Sequence, residues 1–66
     1  MRQLRYSLTI RFNQVNSKPM VELFPTKLEA KYYADALVDD TVRSCMLKDN
    51  VNGREYQYDS IAAEFI

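Results

Sequence analysis

The sequence has no histidine and no tryptophan, one cysteine, one glycine and two prolines, and its nine basic residues are balanced by nine acidic ones. Each shortage excludes something. Without histidine there is no side chain that titrates unaided near neutral pH, so general acid–base chemistry lacks its usual carrier. A zinc site would have to be assembled from one thiol and carboxylates, a poor donor set. A single cysteine, Cys45, rules out a disulfide within the chain, and cysteine this scarce fits a reducing, cytoplasmic setting. Zero net charge removes the global positive field that drives unspecific nucleic-acid binding. No run approaches the roughly 20 apolar residues of a membrane span. The N-terminal segment carries Arg2 and Arg5 but alternates where a secretory leader would be solidly apolar. One glycine does not make a phosphate-cradling loop. No cofactor or metal is expected, and no enzymatic activity.

What is present is pattern. Sixty-six residues, 47% of them hydrophobic, make one domain over 1–66. A chain of this size buries only about 60% of its unfolded surface, so its core is thin. Residues 3–12, QLRYSLTIRF, put Leu4, Tyr6, Leu8, Ile10 and Phe12 on one side and Gln3, Arg5, Ser7, Thr9 and Arg11 on the other. That period of two predicts a half-buried strand. NQVNSK, at 13–18, reads as a loop. PMVELF predicts a second strand over 19–24, with Pro19 at its start or on an edge because it has no amide hydrogen.

Thr26-Lys27-Leu28-Glu29 fits a capping box, and Pro25 disfavours helix at Phe24. A helix is expected over 27–38, with Ala30, Tyr33, Ala34 and Leu37 facing inward and Val38 at the border. Asp39 and Asp40 oppose the dipole at its C-terminus. A third strand is expected over 41–51 and a fourth over 54–61, joined at Asn52-Gly53 by a two-residue type I′ turn. That turn pairs Val51 with Arg54, Asp49 with Tyr56, Leu47 with Tyr58 and Cys45 with Ser60. Cys45, Leu47, Tyr56 and Tyr58 then share the inner face. Lys48, Glu55, Gln57 and Asp59 share the outer one. The expected fold is α+β: a two-layer ββαββ arrangement with one helix on a four-stranded antiparallel sheet. Strand order stays open. The apolar tail AAEFI is expected to dock.

Three groups of residues invite a functional reading. Cys45 lies mid-strand with no histidine to activate it, so it reads as buried and inert. Leu28 and Tyr32 lie off the apolar face of the helix, beside Lys31, Asp35 and Asp39. Leu28, Tyr32, Asp35 and Asp39 are therefore candidates for a partner surface: two apolar anchors with an acidic rim. A surface leucine and tyrosine without function is the plainer account. Arg5, Ser7, Thr9 and Arg11 project from the outer side of the first strand and could touch nucleic-acid phosphates or base edges. A solvated sheet face is the plainer account there, and Glu55 and Asp59 weaken a basic patch if the fourth strand lies adjacent.

Two resemblances bear on these readings. Over residues 6–38, a hairpin leading into Phe24, Thr26, Glu29 and Ala30 resembles the arm-type, AP2-like DNA-binding domains of phage integrases. That implies DNA contact through the sheet. Those domains have three strands before the helix; this chain has two, then a hairpin after it. In format, a tiny ββαββ protein without catalytic residues resembles small phage inhibitors of host defence, such as anti-CRISPR proteins and phage antitoxins. That implies steric occupation of a host protein or ribonucleoprotein complex. The first expectation is therefore a non-enzymatic protein-interaction module, the second a small DNA-binding protein. A homodimer through open sheet edges is a third.

Overall fold

The computed structural model describes residues 3–66, so Arg2 lies outside the described residues. Six elements follow one another: β1 (Tyr6–Phe12), β2 (Met20–Phe24), α1 (Lys27–Leu37), β3 (Val42–Asp49), β4 (Glu55–Asp59) and β5 (Glu64–Phe65). The architecture is α+β, one helix on one antiparallel sheet. The sheet has five strands in the order β2-β1-β3-β4-β5, not the expected four.

The fifth strand comes from the tail. Asp59 Oδ1 accepts the amide hydrogens of Ile61 at 2.9 Å and Ala62 at 3.3 Å, which closes β4 at Asp59 rather than at 61. Ala63 takes a left-handed φ of 55° and turns the chain back along β4. Gln57 and Ile66 then exchange backbone hydrogen bonds of 2.9 and 2.8 Å. The Phe65 ring meets Tyr58 edge-on at 5.5 Å.

The second correction is register. Leu47 faces Tyr56, Met46 faces Gln57 and Lys48 faces Glu55, a slip of two from the expected pairing. The Asp49 carboxylate accepts from the Val51 amide at 2.9 Å, and Gly53 N–H donates to the Asp49 carbonyl at 2.8 Å. Asp49 thus caps a four-residue loop, Asn50 to Gly53, with Gly53 at φ 77°. A side-chain cap at Asp49 outweighs the I′ preference of Asn-Gly alone. A slip of two preserves side-chain parity, so Cys45, Leu47, Tyr56 and Tyr58 still share the helix side.

The helix begins as its cap dictates. Thr26 Oγ1 accepts from the Glu29 amide at 3.2 Å and lies the same distance from the Glu29 carboxylate, to which its hydroxyl donates. The helix stops at Leu37, and Val38, with φ −72° and ψ 121°, is its C-cap. Ala30 and Ala34 are fully buried against Leu8, Ile10, Cys45 and Leu47. Two alanines let the helix axis come close to the sheet. Tyr33 packs on Phe24 at 5.2 Å on one flank. Lys27 Nζ sits 4.0 Å above the Tyr56 ring on the other.

The β2–α1–β3 connection passes over β1, which pairs with both β2 and β3. The fourth strand is therefore separated from β1 by β3, so β1 and β4 are not neighbours. A bulge interrupts the β1–β3 ladder: Arg11 faces Ser44 and Phe12 faces Val42, leaving Arg43 as the extra residue.

Candidate interaction surfaces

The helix carries the first candidate surface. At about 100° per residue, positions 28, 32, 35 and 39 fall along one line of a helix. Leu28 is 57% exposed and Tyr32 62% exposed, so neither contributes to the core. Leu28 borders a depression of about 250 Å³ with Lys27, Lys31, Glu64 and Phe65, at the seam between α1 and β5.

The two acids behave differently from a free acidic rim. Asp35 accepts from the Tyr58 hydroxyl and pairs with Lys31 at 2.9 Å. The Tyr58 hydrogen bond, then Lys31, hold its carboxyl below the usual range, while Tyr58 is pushed up to about 12. Asp39 lies beyond the helix end, where its Oδ1 accepts from both the hydroxyl and the amide of Thr41. Those bonds lower its pKa in the same order, hydroxyl first. Asp35 ties α1 to β4, and Asp39 shapes the turn into β3. Leu28 and Tyr32 remain as the outward-facing pair.

The sheet carries the second. The register gives its outer face three rows. One row runs Leu23, Ser7, Lys48, Glu55; the next runs Val21, Thr9, Met46, Gln57, Ile66; Arg11 and Ser44 begin the third. Ser7, Thr9 and Arg11 project together, as their alternation requires. Arg5 does not join them. Its guanidinium grips both carboxylate oxygens of Asp49, Nε at 2.9 Å and Nη2 at 2.8 Å. Asp49 is only 2% exposed, and pairing plus hydrogen bonding is what permits a buried carboxylate. The Arg5 bond holds the Asp49 carboxyl below its ordinary value. Arg5 sits one residue before β1, where its side chain is free to bend toward the inner layer.

Lys48, Met46 and Asp49 were not singled out as site residues by the sequence. The alternation of β3 is the signal that would have found them: Met46 and Lys48 share parity outward, and Asp49 shares parity with Cys45 and Leu47. Cys45 itself is buried, and burial pushes its thiol up to about 11, the state of an inert cysteine. Among the described residues no group of three or more acids and thiols converges to hold a metal ion. No helix among the described residues is long and apolar enough to cross a membrane. Comparison of the chain with protein-family models, with curated proteins and with solved structures gives no match.

Proposed function

We propose that this chain is a non-enzymatic binding domain that acts by covering a surface of a protein partner, with Leu28 and Tyr32 of α1 as its anchors. The observation that carries this reading is the exposure of both side chains, four residues apart on a helix whose opposite face supplies the core. A tyrosine and a leucine held on a rigid helix lose little freedom on binding, and an aromatic of this kind is a common hot spot. The depression beside Leu28 gives a partner side chain a place to enter. Steric occupation of a host protein or ribonucleoprotein is the mode of action that the format resemblance suggests. The DNA-binding alternative keeps Ser7, Thr9 and Arg11 but goes without Arg5, which Asp49 occupies.

Affinity capture from the native host with the intact chain and with Tyr32→Ala tests this reading. The expected result is a partner retained by the parent and lost by the variant, with roughly a thirty-fold weaker Kd, the equivalent of about 2 kcal/mol at a hot spot. Folding stability changes by no more than about 0.5 kcal/mol, the usual scale for a surface substitution. An identical set of captured proteins from both chains, or unfolding of Tyr32→Ala, would falsify the helix-anchored reading.

A further inference from the structure

The outer face of the sheet lies opposite α1, and among the described residues none covers it. Its middle row places Val21, Met46 and Ile66 side by side with Thr9 and Gln57, and these three apolar side chains are 55%, 40% and 70% exposed. Leu23 adds to the same face one row away. The charges around this row are uneven. Arg11 borders two adjoining depressions: one of about 260 Å³ shared with Thr9, Ser44, Met46 and Lys48, the other shared with the bulged Arg43. Among the described residues, Arg11, Arg43 and Lys48 enter no ion pair. Glu55, opposite Lys48, lines the first of these hollows, and Asp59 lies further along β4 with the same outward parity.

We infer that this face is a second docking surface, and that its occupant is an acidic protein segment bearing an apolar side chain. The apolar side chain fits the hollow beside Met46, and the flanking carboxylates meet Arg11, Arg43 and Lys48. Charge complementarity selects the acidic partner, because three unpaired cations on an apolar face gain most from carboxylates brought in with an apolar anchor. A nucleic acid fits less well. Its phosphates would pass over the row of Val21, Met46 and Ile66 and meet Glu55, on a chain whose net charge is zero. The inference rests on reading the chain as a protein binder but uses the face opposite Leu28 and Tyr32, so the two surfaces fail or succeed separately.

Amide-resolved NMR titration tests it, using a short synthetic peptide of alternating acidic residues and phenylalanine. The controls are the same peptide with glutamine in place of each acid, and a DNA duplex at equal salt. The acidic peptide is expected to shift the amides of Thr9, Arg11, Ser44 and Met46. Its binding weakens at least ten-fold in Arg11→Glu/Lys48→Glu and with the glutamine peptide, and is unchanged in Tyr32→Ala. Because the mapping uses the unaltered chain, it stands even if the double variant folds poorly. The inference is overturned if no outer-face amide shifts, if the glutamine peptide binds equally, if Tyr32→Ala abolishes binding, or if the duplex binds more tightly than the acidic peptide.

Discussion

Asp49 serves two places in the fold at once. It is buried, it clasps Arg5, and it caps the loop into β4. Asp49→Ala leaves the Arg5 guanidinium without its partner and the loop without its cap, and urea denaturation registers this as a lower midpoint at neutral pH. The pH dependence has a definite sign. The Asp49 carboxyl is held below its ordinary 3.8, so its contribution is complete above about pH 4 and is lost as pH falls through the depressed value. Asp49→Asn, which cannot titrate, shows a shallower acid limb than the parent in the same measurement. At the alkaline end, Tyr58 rises from 10.0 to about 12, so its bond to Asp35 contributes fully below pH 10 and fades between 10 and 12. Asp35→Asn returns Tyr58 toward 10, which an ultraviolet tyrosinate titration reads directly. At this scale the sequence was partly legible. The parity of Asp49 was readable from β3, but its partner lies 44 residues away, and no local pattern links the two. Asp35 lies on the helix and its bond to Tyr58 depends on the tertiary fold, whereas Asp39 falls past the helix end and bonds locally to Thr41, two residues on.

Elements were the most legible level. Thr26, Pro25 and the apolar spacing set the helix to within a residue, because capping and periodicity are local forces. Thr26→Ala is therefore expected to cost about 1 kcal/mol, the usual value of an N-cap, in thermal or urea unfolding. The β3–β4 turn was less legible. Asn52-Gly53 marked the reversal, but the competition between a two-residue turn and an Asp49-capped loop is decided by one side chain outside the dipeptide. Gly53 at φ 77° is where the outcome concentrates. Gly53→Ala meets no neighbour within 4 Å, so its cost is purely conformational, about 1 to 2 kcal/mol on the same assay. A loss much smaller than that would mean the loop adopts another conformation. The slip of two explains why the inner-face residues were right while every paired partner was wrong.

At the scale of the whole molecule, the thin core is extended by edges. Leu8, Ile10, Leu47 and the two helix alanines are fully buried, and around them aromatic residues form a half-buried ring that ends with Phe65. Phe65→Ala is expected to lower stability by about 2 kcal/mol, roughly half the cost of truncating a fully buried aromatic. It also speeds hydrogen exchange at the Gln57 amide, whose acceptor is the Ile66 carbonyl. Unchanged exchange there would mean β5 holds without its aromatic contact. The docking of the tail was anticipated from its apolar composition. Its joining the sheet was not, because it depends on a left-handed Ala63 that composition does not announce. Strand order was equally hidden, since helix crossovers leave adjacency to global packing.

The strand pairing β1–β3 has one more consequence. The segments before and after α1 are each stitched by short-range hairpin bonds, and the long-range β1–β3 ladder is what makes one sheet of them. Pairing β1 with β3 closes a loop of roughly thirty residues, and the entropy of that closure is the largest loop cost in the sheet. Stiffening the turn between Val38 and Thr41 would lower that cost and quicken the molecule's formation without adding a contact to its finished form.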